Sequence, residues 1–217
     1  MKINAEVIAH TSLRLLNEVG LDGLTMRVVA KELDVKAPAL YWHVKNKQEL
    51  LDAMATLVMI EAGEGLESPR RDVSWEDWLR ELCLRLRRTM LRYRDGARVV
   101  AGTHVSHPVI SRSIELTLRT LMDTGFSLDD AARAMPTLLH YTIGFTIEEQ
   151  ARLGDAYTTG GNPYRPELIA EIIDADRHPL TAKAVGEIFT DGGDAQFVLG
   201  VTTIIAGLRA TCLPAGR

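Results

Sequence analysis

Apolar residues recur along almost the whole chain at spacings of three and four, which is the period of one face of an α-helix. The first segment, AEVIAHTSLRLLNEVG, has this pattern and is predicted to end at Gly20, a residue suited to a helix C-terminus. Alternating runs long enough for a half-buried β-strand do not occur, and glycine and proline fall between the periodic segments. The sequence therefore predicts an all-α fold.

Residues that cap helix N-termini stand before four of the later segments, at Thr25, Asn46, Ser74 and Ser127. Each serine has an aspartate three residues later, an arrangement that resembles a capping box. Pro136 lies inside the long segment that Ser127 opens. It is predicted to kink that helix or to leave one carbonyl without its partner.

The C-terminal part is predicted to hold a loop at residues 154–166 and two more helices, the last from Asp194 to about Cys212. That last helix is apolar on most faces and carries small residues that permit close approach at Gly200, Ala206 and Gly207. A helix this apolar is expected to be buried, either in a large core or against a partner subunit.

The second and third segments have the spacing of a helix-turn-helix. Ala30 is small enough for the two helices to approach closely, and Asp34 stands where the turn requires a left-handed backbone. The apolar residues expected to fill the angle between the helices are Val29, Leu33, Val35 and Leu40.

Tyr41, Trp42 and His43 stand side by side on the very short third segment, with Lys45 and Lys47 close behind. A helix of one or two turns cannot bury a core of its own, so this cluster is predicted to be a surface that enters the major groove of DNA. Arg27, in the preceding helix, could then reach a guanine edge. The alternative is a solvated basic corner with partly buried aromatic rings.

The charge distribution limits the kind of nucleic-acid contact. The formal net charge is −4, which argues against a protein coated in nucleic acid. Residues 1–47 hold seven Lys and Arg against five Asp and Glu, a balance of +2, whereas the remainder holds eighteen against twenty-four, a balance of −6. A small basic region on an acidic body fits a local contact with a polyanion.

Cys83 and Cys212 are far apart and form no C-x-x-C pair, so neither a zinc site nor a disulfide framework is indicated. No stretch approaches eighteen consecutive apolar residues, and the first ten residues do not read as a signal peptide. We therefore expect a cytoplasmic protein that has no membrane partner.

The stretch LLNEVGLDGLTMRVVAKELDVKAPALYWHVKNKQELLDAMA resembles the DNA-binding domain of the tetracycline-repressor (TetR) family. LYWHVKNK and RDGARVVAGT are similar to the tetracycline repressors within that family. The resemblance implies a three-helix helix-turn-helix domain at residues 1–46, a linking helix at 47–62, and a helical ligand-binding and dimerisation domain at 74–217. It also implies a homodimer that places two recognition helices about 34 Å apart on a palindromic operator of double-stranded DNA.

The resemblance also assigns roles within the DNA-binding domain. The residues that would contact phosphates are Thr25, Tyr41 and Lys47. Those that would pack on sugar-phosphate and thymine methyl groups are Pro38, Trp42 and His43. Ala37 and Ala39 stand where tetracycline repressors carry a glutamine and a threonine, and alanine donates no hydrogen bond to a base. The operator is therefore expected to differ, with specificity resting on Arg27, Lys36 and apolar contacts.

In the body, the resemblance places Val100 where tetracycline repressors carry a histidine that ligates the magnesium of a drug chelate. A valine cannot ligate a metal. Further positions that hold the drug are also changed, to Glu64, Leu82, Leu86 and His104, whereas Thr103, His140 and Glu148 are retained. Unpaired polar groups on the drug would cost several kcal/mol in total. The sequence therefore predicts a small, more apolar effector in place of tetracycline and magnesium.

The expected pocket lining is Leu82, Leu86, Val100, Thr103, His104, Leu116, Thr117, Leu138, His140, Tyr141, Phe145 and Glu148. The spacing of His104, His107 and Glu148 matches no standard metal site, and no metal or cofactor is expected.

The main functional hypothesis is a repressor that a small molecule releases from DNA. An activating or architectural DNA binder without a ligand is a second possibility. An all-helical enzyme is a third, but the chain has no G-x-x-x-x-G-K, G-x-S-x-G or H-E-x-x-H motif. The acidic pairs at 129–130 and 148–149 are interpreted as helix-start and solvent-facing charges, so no enzyme is expected.

Overall fold

A computed structural model describes residues 3–69, 72–105, 107–153, 162–189 and 193–213. Every regular element in these ranges is an α-helix, which confirms the predicted fold class. The helices are α1 Ala5–Gly23, α2 Met26–Glu32, α3 Ala37–Leu40, α4 Lys47–Gly63, α5 Trp75–Leu91, α6 Gly96–Val100, α7 Pro108–Asp123, α8 Leu128–Leu153, α9 Pro166–Ile172, α10 Pro179–Ile188 and α11 Gly193–Cys212.

Helices α1, α2 and α3 form the N-terminal head, and local chemistry sets their limits. The Thr25 side chain caps α2 by accepting from the Val28 N–H, and Asn46 caps α4 by accepting from the Glu49 N–H. Asp34 adopts the left-handed conformation that the turn requires, with φ of 53°. Ala30 and Leu40 are buried where α2 and α3 meet, as the helix-turn-helix pattern predicts.

The regular part of the first helix ends at Gly20, as the sequence predicts. Gly20 takes φ of 67°, which is not helical, and a short helical piece follows this kink and brings α1 to Gly23. The Leu21 N–H donates to the Asp95 carboxylate at 2.9 Å, and the Leu24 N–H returns to the Gly20 carbonyl at 3.1 Å. The contact with Asp95 replaces a helical hydrogen bond that the kink removes, and a partner 74 residues away leaves no local sequence signal.

One hydrophobic cluster joins the head to the rest of the chain. It holds the buried face of α1 together with Met54 and Val58 of α4, Met90 of α5 and Val99 of α6. A second hydrogen bond crosses the same junction, from the Arg94 N–H to the Asn17 side chain at 2.7 Å. The head is therefore packed against α4 and α6 and is not a freely tethered unit.

Helices α5, α7, α8 and α11 surround the second cluster, which includes Leu79, Leu121 and Phe197. Helix α8 runs through Pro136 without a break. Because proline has no backbone N–H, the Ala132 carbonyl lacks its partner in the regular helical pattern. This is one of the two outcomes that the sequence predicts for Pro136.

The C-terminal part differs from the prediction in its number of helices. Three helices, α9, α10 and α11, follow residue 162, where two were expected. The expected loop at 154–166 falls largely on residues 154–161, which lie outside the described ranges. Helices α9 and α10 pack against each other and contain no buried residue.

Helix α11 buries one face, through Phe197, Val201 and Ile205, and leaves the others open. In the described part of the chain, only α11 has the length and mean hydropathy, 1.4, that crossing a membrane would require. This observation concerns length and composition alone. The buried face of α11 packs into the second cluster.

Candidate functional site

Most of the residues that the sequence assigns to DNA are exposed on the head. Thr25, Arg27, Lys36, Pro38, His43 and Lys47 are all exposed, and Ala37 and Ala39 are half-buried beside them. Trp42 is 88% exposed and Tyr41 48% exposed, although rings of this size are usually buried. These aromatic side chains therefore contribute little to the core and are available to a partner.

Two of these residues also hold the head together. The Thr25 hydroxyl oxygen accepts from the Val28 N–H at 3.2 Å, which leaves its own O–H free to donate. The Lys47 ammonium donates to the Leu21 carbonyl at 3.2 Å and has two further N–H donors. Both can therefore contact a phosphate while they keep their structural partners.

A cavity of about 420 Å³ lies among α4, α5, α7 and α8, within the size range of small-molecule sites. Four residues of the expected lining are on its wall, namely Leu82, Leu86, Thr117 and Leu138. The other lining residues are Met59, Ala62, Gly63, Leu79, Cys83, Ile110, Ser113, Ile114, Leu118, Ala132, Met135, Pro136, Leu139 and Thr142.

The remaining expected residues lie away from this cavity. Leu116 lines a second cavity of about 550 Å³ beside α1 and α4. Tyr141, Phe145 and Glu148 line a third of about 230 Å³. Val100 is buried in the first hydrophobic cluster, and the residues that stay at or near the surface are Thr103, His104 and His140.

The contribution of α4 was not predicted from the sequence. Met59, Ala62 and Gly63 close the cavity on the side of the linking helix. Their helical spacing could have indicated an inward face, but which helix lies opposite depends on the packing of the whole chain. His140 is exposed because Leu138 and Thr142, two positions away on either side, take the inward face of α8.

The polar groups of the cavity are three hydroxyls and one thiol. The hydroxyl of Ser113 donates to the Val109 carbonyl, that of Thr117 to Ser113, and that of Thr142 to Leu138, at 2.8–3.0 Å. Burial raises the pKa of the Cys83 thiol to about 11, although a hydrogen bond with Thr142 partly opposes the shift. Cys83 therefore stays an uncharged thiol at neutral pH, and both cysteines are free.

Glu149 is not on a solvent face, which corrects the interpretation of the acidic pair at 148–149. It is 6% exposed and pairs with Arg87, which is 2% exposed. Two hydrogen bonds, of 2.8 and 2.6 Å, join the two side chains, and Asp194 accepts a third from Arg87. This network ties α5, α8 and α11 together behind the cavity. Across the described ranges, no three His, Cys, Asp or Glu side chains are grouped to hold a metal ion.

Helix α4 connects the two candidate sites. It begins at Lys47, on the surface that the sequence assigns to DNA, and ends at Gly63, on the cavity wall. Near its middle, the Asp52 carboxylate accepts from the His104 N–H at 3.1 Å, which links α4 to the segment after α6. One continuous helix therefore runs from the head to the cavity wall.

Comparison with known proteins agrees with this arrangement. Residues 8–54 match the family described as bacterial regulatory proteins, tetR family, and residues 68–212 match the tetracyclin repressor-like C-terminal domain. The chain is 38% identical over 209 residues to the tetracycline repressor protein class C of Escherichia coli, covering 96% of this chain and 91% of that protein.

Solved structures give the same result. A possible TetR family transcriptional regulator from Streptomyces coelicolor A3(2) aligns with TM-score 0.83 and 36% identity, covering 95% of this chain and 99% of the other. The TetR family protein ActR of Streptomyces coelicolor, in complex with actinorhodin, aligns with TM-score 0.80 and 29% identity, covering 99% of each chain. The chain belongs to the TetR family of DNA-binding transcriptional regulators.

Proposed function

We propose that this protein is a cytoplasmic, homodimeric repressor that a small, fairly apolar molecule releases from its operator. The observation that carries the proposal is the course of α4 from the DNA-facing surface to the cavity wall. At 1.5 Å per residue, this helix is about 25 Å long and acts as a lever between the two sites. A ligand that binds more tightly when α4 is in one of two positions shifts the equilibrium between those positions, and the heads move with the helix.

On the DNA side, Arg27 and Lys36 read base edges, while Thr25, Tyr41 and Lys47 hold phosphates. Pro38, Trp42 and His43 pack on the sugar-phosphate backbone and on thymine methyl groups. The methyl groups of Ala37 and Ala39 face the groove without donating hydrogen bonds, so the operator differs from that of the tetracycline repressors.

On the ligand side, the effector occupies the cavity of about 420 Å³ lined by Leu82, Leu86, Thr117 and Leu138. The tetracycline–magnesium complex is not the effector, because Val100 cannot ligate a metal and is buried in another cluster. Isothermal titration of tetracycline with Mg²⁺ tests this point, and the class C repressor serves as the positive control. Submicromolar binding to the present protein would contradict it.

The dimer forms through α8 and α11, and the open side of α11 carries a large apolar side chain, Leu199, which is 66% exposed. A second copy covers these faces and places the two heads on one palindrome. Light scattering after size-exclusion chromatography measures the mass, and a monomer at micromolar concentration would contradict the dimer.

The decisive experiment is a gel shift with the DNA upstream of the native gene, scanned against a set of apolar metabolites. A ligand-released repressor binds this DNA when no metabolite is present and dissociates from it when one or a few of the compounds are added. DNA binding that no compound changes supports the alternative of a regulator without a ligand. An absence of specific binding contradicts the proposal.

A further inference from the structure

We infer that the effector is an uncharged molecule that donates hydrogen bonds, because the cavity offers acceptors and almost no donors. This inference rests on the proposed function, since it takes the cavity of about 420 Å³ as the effector site. It adds the chemical class of the ligand, which size and apolarity alone leave open.

The hydroxyl groups that line the cavity offer acceptors and no free donor. Ser113 and Thr117 on α7 and Thr142 on α8 all face the cavity, and each donates its single hydrogen to a backbone carbonyl of its own helix. A hydroxyl has one donor and two acceptor lone pairs. Each of these oxygens therefore keeps acceptor capacity towards the cavity, while its donor is already engaged.

The backbone around the cavity offers no free donor. The lining residues lie within α4, α5, α7 and α8, where the N–H groups are used by the helices; even Ile110, near the start of α7, donates to His107 at 2.9 Å. Carbonyls inside the helices are engaged in the same way, apart from that of Ala132, to which Pro136 has no N–H to offer; both residues line the cavity. Ala62 also lines the cavity, and its carbonyl lies in the last turn of α4, beyond the regular helical pattern. The backbone thus adds acceptors and no donor.

The described wall of the cavity carries no charge. No lysine, arginine, histidine, aspartate or glutamate is among the described residues that line the cavity. Cys83 contributes a neutral thiol, whose S–H is only a weak donor. An anion buried here would lose its hydration with no cation or donor to replace it, and burying an unpaired charge is very unfavourable. A carboxylate, phosphate or sulfonate ligand is therefore rejected.

A cavity with free acceptors, almost no donors and no charged side chain favours a phenol, alcohol or amide on an apolar scaffold. Leucines, Met59 and Met135 give the wall much of its apolar surface, and the flexible thioether chains adapt to apolar ligands of different shapes. The donor of the ligand then meets the hydroxyl oxygen of Thr117 or Thr142, the two hydroxyl-bearing residues of the wall that are buried, at 3% and 0% exposure.

The test uses three matched probes on each of two scaffolds, naphthalene and phenanthrene: the phenol, its methyl ether and the carboxylate. Binding is measured by isothermal titration to the intact dimer at neutral pH. The phenol is expected to bind about tenfold more tightly than the ether, which matches one hydrogen bond, and the carboxylate at least about a hundredfold more weakly than the phenol. Equal binding of phenol and ether, tighter binding of the carboxylate, or no binding by any of the six compounds would overturn the inference.

Isosteric variants locate the effect. Thr117→Val and Thr142→Val are expected to bring the preference for the phenol over the ether close to one. Thr120→Val and Thr146→Val are the matched controls, because those threonines are also buried on α7 and α8 and bond their own helices, yet lie outside the cavity. A preference that survives both cavity substitutions, or that disappears in the controls, would count against the assignment. The comparison of ligands on the unmodified protein does not depend on how the variants fold.

The inference and the proposed function can fail separately. If the phenol binds with the expected preference but never weakens DNA binding, the ligand class stands and the release mechanism fails. If an anion that binds the cavity releases the DNA, the release mechanism stands and the ligand class is wrong.

Discussion

The Arg87 guanidinium donates two hydrogen bonds to the Glu149 carboxylate in the interior of the body, at 2.8 and 2.6 Å. Removing one partner of a buried ion pair leaves an uncompensated charge. We therefore expect Glu149→Ala to lower the free energy of unfolding by about 3 kcal/mol, the lower end of the usual range because Asp194 still pairs with Arg87. Urea denaturation at a fixed protein concentration measures the change, since the stability of a dimer depends on concentration.

The double variant Arg87→Met/Glu149→Leu is the matched control. It removes both charges and retains apolar volume, and such replacements are often neutral or stabilising. We expect it to recover most of the loss. A double variant as unstable as Glu149→Ala would mean that the packing of Arg87 on Phe145 and Phe197, 5.7 and 5.1 Å from the two ring centroids, matters more than its charge.

Asp194 gives the same network a pH dependence. Its hydrogen bond with Arg87 holds the pKa of the carboxyl below the ordinary value of 3.8. A depressed native pKa means that the contribution to stability is complete above pH 3.8 and is lost as the pH falls through the native pKa. Because the side chain is 65% exposed, we expect Asp194→Asn to cost at most about 1 kcal/mol at neutral pH. Urea titrations from neutral to acid pH should show the two proteins converging below pH 3.8, and a constant difference would contradict this.

Gly200 allows α11 to pack on Tyr141. A Cβ at this position would lie 2.0 Å from the Tyr141 Oη and 2.4 Å from its Cζ. Gly200→Ala is therefore expected to cost about 1–3 kcal/mol through overpacking, despite the better helix propensity of alanine. Thermal unfolding compares it with Gly186→Ala, where no atom lies within 4 Å of the added carbon and stability should hold or rise. Equal effects of the two substitutions would be inconsistent with this close contact.

The sequence predicted those features that local chemistry determines. The N-caps at Thr25, Asn46 and Ser74 and the left-handed turn at Asp34 depend on one side chain and a few neighbouring backbone atoms. The exposure of the aromatic cluster was predicted as well, but Tyr41, Trp42 and His43 lie in the turn after α3, which ends at Leu40, and not on the short helix that the sequence indicated.

The sequence did not predict features that depend on distant partners. The kink at Gly20 is stabilised by Asp95, and Glu149 is buried because Arg87 stands opposite it on another helix. The lining of the cavity also depends on residues that are distant in the sequence. Leu82 and Thr117 were identified, but the contribution of Met59 follows from where α4 packs, which hydrophobic periodicity does not specify.

Base reading by Arg27 and phosphate contact by Lys47 predict different responses to substitution. Arg27→Ala removes a base contact, so affinity for the operator should fall by about 1–3 kcal/mol, while affinity for unrelated DNA changes much less. Lys47→Gln removes a charge but keeps an N–H that can donate to the Leu21 carbonyl. It should weaken binding to both DNAs alike and reduce the slope of log affinity against log salt by about one for each subunit. Fluorescence anisotropy at several salt concentrations measures both quantities, with Arg119→Ala, an exposed arginine on α7, as the neutral control. If Arg27→Ala weakened both DNAs equally and lowered the salt slope, Arg27 would be a phosphate contact and the base readout would have to lie with Lys36.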